Sequence, residues 1–281
     1  MKPDREVTFN QSPDEENMEN PVPVIPSVPQ GIKQTTLIVD LPSKGLFYPK
    51  ENPLSTGQVE LRYMTAKDED ILTNQNYIMQ GTAIERMFRN LLVSEIDWDD
   101  LLVGDKNAIM IASRIAAYGE DYVIQVTTPS GNTQDTTIDL GELKPKKIDE
   151  SVLVNKNSNL FKLTLPKSKK EAHIKLLTGK EEKEIDAIVK SYEKIGKDPG
   201  LLTLRLKHMI VALDGNTDLV FIRNYIDTDL LAADSRAIRS FISKIQPDVD
   251  FNVEVIDRYT GEPFRAPMVF DERFFWPDLE R

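Results

Sequence analysis

The 281-residue chain contains no cysteine. That excludes disulfides, thiolate zinc sites and cysteine nucleophiles. Histidine is almost as scarce: His173 and His208 are the whole supply, and a two-histidine zinc site would need a further ligand that no spacing indicates. Positive charge is short, with 35 Lys and Arg against 46 Asp and Glu and a net charge of −11. Broad nucleic-acid binding needs the opposite balance, because Lys and Arg neutralise phosphates. No run approaches the ~18 apolar residues that cross a bilayer, so no membrane-spanning segment is expected. The opening Met1-Lys-Pro-Asp-Arg-Glu6 lacks the apolar stretch of a secretory signal, so none is expected. Glycine loops for phosphate are missing too. Gly104-Asp-Lys106 is only the second half of such a loop, and it precedes a helix that Asp105 can cap.

What the chain does have is a weak repeat. Thr65, Lys67, Asp68 and Glu69 match Thr178, Lys180, Glu181 and Glu182, an offset of 113 (178 − 65). Leu101-Leu102, Asp105 and Ala108-Ile109 match Leu230-Leu231, Asp234 and Ala237-Ile238, an offset of 129 (234 − 105). Each is followed by an acid and an alternating run, Asp121–Val126 and Asp250–Val255. The expected fold is therefore α+β. It consists of two related modules from an internal duplication, each reading strand, helices, β-hairpin. The first module covers 36–143 and the second 160–281, with a Lys- and Asn-rich linker at 144–159. Residues 1–35 carry six prolines and a cluster of acids, Asp14, Glu15, Glu16 and Glu19. Prolines remove backbone donors and few apolar residues are present, so a disordered arm is expected there.

Within the modules, Val59–Tyr63 alternates like a half-buried strand. Thr65 with Asp68, and Thr178 with Glu181, have capping-box spacing at two helix starts. One long helix is expected over 78–92, with Ile84, Met87, Phe88, Leu91 and Leu92 on one face. Further helices are expected at 105–118, closed by Gly119, and at 181–195, 201–213, 218–226 and 234–245. Hairpins are expected around Pro129–Asn132 and around Thr260-Gly261.

Candidate chemistry is sparse. Asp97-Trp-Asp-Asp100 could hold Mg²⁺ for a metal-dependent hydrolase, but adjacent residues on one segment seldom converge on a cation, and a solvated helix start is the competing reading. Asp214-Gly-Asn-Thr-Asp218 lacks the alternating acids and distal Glu of a calcium loop and reads as a turn with an Asp cap. The strips Lys144, Lys146, Lys147 and Lys162, Lys167, Lys169, Lys170 read as a solvated linker and strand edge. No catalytic, cofactor-binding or metal-binding residue is assigned, and no cofactor is expected. The candidates for partner contact are apolar and mostly aromatic: Leu46, Phe47 and Tyr48, and Phe274, Phe275 and Trp276. The first three lie in a turn-rich stretch whose aromatics are expected to be exposed; the last three either fold back onto the second module's hairpin or anchor in a partner, since aromatics favour interface cores.

Leu41-Pro-Ser-Lys-Gly-Leu-Phe-Tyr-Pro49, Val59–Leu72, Leu101–Asn107, Ala117-Tyr-Gly119 and Phe274–Pro277 together resemble the baseplate proteins of T4-like contractile phage tails, hub subunits or hub assembly proteins. The resemblance implies a non-enzymatic late protein of the virion tail baseplate, assembled in the host cytoplasm. It would scaffold hub formation through contacts with other hub and tail proteins. A transient assembly chaperone, absent from the finished virion, is the alternative. Some similar phage proteins carry Cys-x-x-Cys at the hairpin turns. Here those turns hold no Cys, so apolar packing through Val123, Val126, Phe251 and Val255 is expected to hold the hairpins instead.

Overall fold

Alternation decides the first hairpin. β1 (Thr36–Asp40) and β2 (Gln58–Arg62) pair antiparallel with Val39 opposite Val59 and Leu37 opposite Leu61. Val39, Val59 and Leu61 are buried, and their neighbours turn outward. The computed structural model describes residues 35–150, 157–270 and 274–276, within one compact unit covering 34–281. The arm expected at 1–35 lies, Thr35 apart, outside the described residues, as does 151–156 of the expected linker.

Three helices follow β2: α1 (Ala66–Leu72), α2 (Gln75–Met79) and α3 (Ala83–Leu91). Thr65 and Asp68 form the expected capping box. The long helix expected over 78–92 is broken instead. Gly81 takes φ 67, a left-handed conformation that ends α2 and lets α3 start in a new direction. Met87, Phe88 and Leu91 still share one buried face, but Leu92 is extended and bridges Leu61 at the edge of β2. Next come α4 (Val103–Tyr118), closed by Gly119, and the hairpin of β3 (Asp121–Thr127) and β4 (Thr133–Asp139).

The same order of pieces then recurs. β5 (Phe161–Thr164) and β6 (Glu171–Ile174) pair antiparallel, and α5 (Gly179–Glu193) opens with the Thr178–Glu181 capping box. α6 (Leu201–Met209) feeds β7 (Ile210–Leu213), which pairs with β6 as Leu92 bridges β2. The expected helix 201–213 thus ends early: Ile210–Leu213 gains ladder bonds to β6 and buries Ile210 and Leu213 there. α7 (Leu219–Thr228), capped by Asp218, and α8 (Ala232–Ile245) precede the hairpin of β8 (Asn252–Ile256) and β9 (Pro263–Pro267). Mixed helices and small antiparallel sheets make the fold α+β.

The larger of two buried clusters draws on both halves. Leu61, Phe88 and Ile109 share it with Ile174, Ile238 and Val255. A smaller one, Leu177, Ile185 and Leu204, seals α5 against α6. Lys144–Lys146 lies along the segment after α8. Pro145 bridges Val249, Lys146 N donates to Asp248 O at 2.7 Å, and Asp250 N donates to Lys144 O at 2.8 Å.

Candidate functional site

Among the described residues, those with chemistry gather at three kinds of place: two fasten backbone, and the third joins elements through side-chain ion pairs. The first is a pair of buried aspartates at the third position of α4 and of α8. Asp105 does not cap α4; Leu102 occupies the cap position. Asp105 turns inward, accepting from Ser43 N at 2.9 Å and from the Tyr48 hydroxyl at 2.5 Å. Tyr48 in turn accepts from Leu102 N at 2.9 Å. Burial pushes both groups above their ordinary values, and for Asp105 the bonds from Tyr48 and Ser43 act against that rise. Asp234 does the same work in the second half, accepting from Lys167 N at 2.7 Å and Ser168 N at 2.9 Å. Each aspartate fastens the loop that leaves the first strand of its half, and each loop begins Leu-Pro, at Leu41 and at Leu165.

The second kind is the capping boxes. Arg62 makes a two-pronged contact with Asp68 at 2.7 and 2.6 Å, and Asn90 adds a bond at 2.7 Å. Lys175 meets Glu181 at 2.5 Å. Burial works to raise both carboxyl groups, but the cations and the Thr65 and Thr178 donors outweigh it and hold each at about 2.

The third is an ion-pair network joining α3, the 98–100 turn and α5. Arg89 reaches Glu85, Asp97 and Asp99 at 2.7, 2.9 and 2.8 Å. Lys183 spans from the second half to Glu85 at 2.5 Å and Asp99 at 2.9 Å. Two of the acids considered for Mg²⁺, Asp97 and Asp99, therefore meet side-chain cations. Lys106 sits beneath them, 5.0 Å from the Trp98 ring and 3.9 Å from Asp99. Burial draws its amine down to about 8, with Asp99 opposing.

The histidines are also engaged locally. His173 Nε2 lies 3.1 Å from Glu171 Oε1, and His208 Nδ1 donates to Leu204 O at 2.9 Å. Asp214 takes a left-handed turn conformation, φ 49, and accepts from Glu171 N and Lys170 Nζ.

The hairpin tips meet, which the sequence did not show. Ser130 Oγ donates to Asp257 Oδ2 at 2.8 Å, while the Gln134 side chain donates to Ile256 O at 2.8 Å and accepts from Arg258 N at 3.0 Å. Of the four residues expected to hold the hairpins, Val126 and Val255 are buried and Phe251 is partly so, but Val123 faces outward. Strand parity explains this: 123 and 126 are three apart and cannot share a face of a period-2 strand, whose inward set is Tyr122, Ile124 and Val126. Below the tips the hairpins diverge into an open groove of about 680 Å³ between Thr137–Asp139 and Asn252–Glu254.

The aromatic candidates tie the halves of this chain together. Phe47 packs on Phe161 of β5, with ring centroids 5.7 Å apart, and Phe161 on Phe241 of α8 at 6.1 Å. Phe275 meets Phe88 of α3 at 5.7 Å, and Phe274 meets Tyr122 of β3 at 5.2 Å and Phe270 at 4.3 Å. Trp276 Nε1 donates to Leu72 O at 3.2 Å. Phe47, Tyr48, Phe274 and Phe275 are buried; Leu46 and Trp276 lie at the margin. Among the described residues no helix is long and apolar enough to cross a membrane.

No curated protein and no solved structure matches this chain. A family model does, described as T4 bacteriophage base plate protein, over residues 35–203. The match runs from the start of β1 into α6. It takes in both capping boxes, the Asp105 clasp and the 98–100 turn. The ending Phe274–Pro277 lies outside it. Since the match covers more than half of the residues, this chain belongs to the T4 bacteriophage base plate protein family, which implies work in the phage tail baseplate and contacts with other tail proteins.

Proposed function

We propose that this chain is a non-enzymatic subunit or assembly protein of the baseplate hub, built by internal duplication of one module and acting through protein–protein contacts. The modules are 36–143 and 160–281, joined by 144–159. The recurring order of hairpin, capped helix, edge strand or bridge, helix with an inward aspartate, and hairpin supports the duplication. So do the positions: Arg62 and Lys175 clamp the capping boxes at the same offset as Thr65 and Thr178 (175 − 62 = 113). One observation carries the scaffolding role: the ionisable clusters just described fasten loops, helix starts and module junctions. Among the six aromatic-segment candidates, Leu46 and Trp276 are the ones a neighbour can touch directly; Phe47, Tyr48, Phe274 and Phe275 would shape the surface from beneath.

The test is co-purification of the tagged chain with its phage's tail proteins, alongside mass spectrometry of purified tails. The expected result is a stable hub complex and a stoichiometric band of this chain in mature tails. A complex formed during assembly with no band in the tails would favour the transient chaperone. No complex, together with normal particles from a phage lacking the chain, would overturn the proposal.

A further inference from the structure

The two modules meet where the start of α4 docks against the start of α5. Leu102 and Thr178 face each other in an antiparallel bridge, and Gly179 N donates to Leu101 O at 2.9 Å. Leu101, Leu102, Gly104 and Gly179 are buried there. Both partners in this junction have a counterpart elsewhere in the chain, and neither counterpart is docked among the described residues. At the start of α8, Leu231, Ala232 and Ala233 stand where α4 has Leu102, Val103 and Gly104 (231 − 102 = 129), and all three are exposed. At the start of α1, Thr65 and Ala66 stand where α5 has Thr178 and Gly179 (178 − 65 = 113), and both are exposed. The contrast is sharpest at the apolar positions. Leu102 is 2% exposed and Leu231 44%; Leu176 is 2% exposed and its counterpart Tyr63 40%.

A junction used once, with one spare copy of each of its faces on opposite modules, is the arrangement that propagates head to tail. We propose that a second copy of this chain docks its Thr65–Ala66 helix start on the Leu230–Ala233 edge, repeating between molecules the junction that joins the modules. The inference rests on the duplication proposed above. Side-chain room agrees on one side. A methyl at Gly179 would meet Lys106 Nζ at 1.9 Å, but α8 has the short Ser235 where α4 has Lys106 (235 − 106 = 129), which leaves space for Ala66. On the other side, a methyl at Gly104 would meet Pro247 O at 1.9 Å. Pro247 belongs to the segment after α8 and not to the α5 face, so the methyl of Ala233 bears on a different contact from the one repeated here. Repetition of one such contact closes a ring or extends a filament, depending on the rotation it imposes.

The absence of cysteine makes the test clean. Facing residues in a bridge of this kind lie ~4.5 Å apart at Cα, within disulfide reach. Four preparations of full-length protein are oxidised: the L102C/T178C double variant, a mixture of T65C with L231C, and each of these single variants alone. The first should close a disulfide within one chain. The mixture should give a linked dimer that neither single variant gives. Independently, sedimentation of the unmodified chain should show concentration-dependent association that Leu231→Glu weakens by about tenfold or more. If L102C/T178C closes while the mixture stays unlinked and Leu231→Glu leaves sedimentation unchanged, the self-association is overturned and the module reading stands. If L102C/T178C fails to close in a folded chain, the module junction is wrong and the inference falls with it. A dimer from T65C or L231C alone would also overturn it, since it reports a symmetric contact.

Discussion

Gly104 is the position where a single methyl group should do the most damage. A Cβ there would lie 1.9 Å from Pro247 O and 2.6 Å from Asp248 Cα, both backbone atoms that cannot rotate aside. Favourable separations are about 3.5 Å, so the segment after α8 would have to retreat by about 1 Å or more. That segment is held by Lys146 N on Asp248 O at 2.7 Å and by Asn107 Nδ2 on Asp248 Oδ1 at 2.9 Å. Overpacking contributes about 1–3 kcal/mol of destabilisation and loosening these two bonds about 1 kcal/mol each. Alanine returns about 1 kcal/mol through its helix propensity. Gly104→Ala should therefore lose about 2–4 kcal/mol in urea unfolding, with a fall in Tm of several degrees. The corresponding position in α8 is the control. Ala233 is exposed, and Ala233→Gly should lose about 1 kcal/mol or less, from propensity alone. A Gly104→Ala protein as stable as the parent would refute the close approach of α4 and the segment after α8 at this point.

Three further outcomes are expected. Asp68 and Glu181 are held at about 2 against ordinary values of 3.8 and 4.5, so their contribution is complete above about pH 4.5 and is lost as pH falls toward 2. With allowance for solvent screening this is about 1–2 kcal/mol each. The urea midpoint should drop between pH 5 and pH 2.5, and Asp68→Asn with Glu181→Gln should flatten that drop. Asp105→Asn should destabilise by about 1–3 kcal/mol, because the amide offers one acceptor oxygen where the carboxylate uses two, for Ser43 N and the Tyr48 hydroxyl; unchanged thermal unfolding would contradict the clasp. Phe275→Ala, which removes a buried ring set against Phe88, should destabilise by about 3–5 kcal/mol in denaturant unfolding.

What the sequence made legible was local. Two capping boxes, the hairpin turns and the Gly119 stop depend on residues within a few positions of one another, and each stands where the spacing put it. What it hid was decided by distant partners. The segment Ile210–Leu213 could continue α6 or pair with β6, and only β6 settles which. Asp105 has the composition of a cap, yet its partners, Ser43 and Tyr48, lie about sixty residues earlier in the chain. Gly81 was visible as a glycine, but a helix tolerates one glycine, and the break follows from its positive φ. The aromatic segments were legible as costly to leave in water. That their rings pack within this chain required knowing that Phe161 and Phe88 stand opposite.

The cross-ties of Phe47 to Phe161 and of Phe275 to Phe88 also set an order in time. On a translating ribosome the first half emerges with Phe88 and Trp98 made, stacked 4.8 Å apart in the finished protein, but without the Phe275 ring that packs on Phe88. More than 170 residues must be added before Phe275 can reach Phe88 (275 − 88 = 187). Contacts this far apart in sequence form late. A nascent chain stalled before residue 274 should thus stay sensitive to protease in its first half, and resistance should arrive in one step once Phe274 and Phe275 have left the exit tunnel. Such a chain would become competent for its contacts only after both halves had been synthesised, which would keep half-made chains away from a growing baseplate.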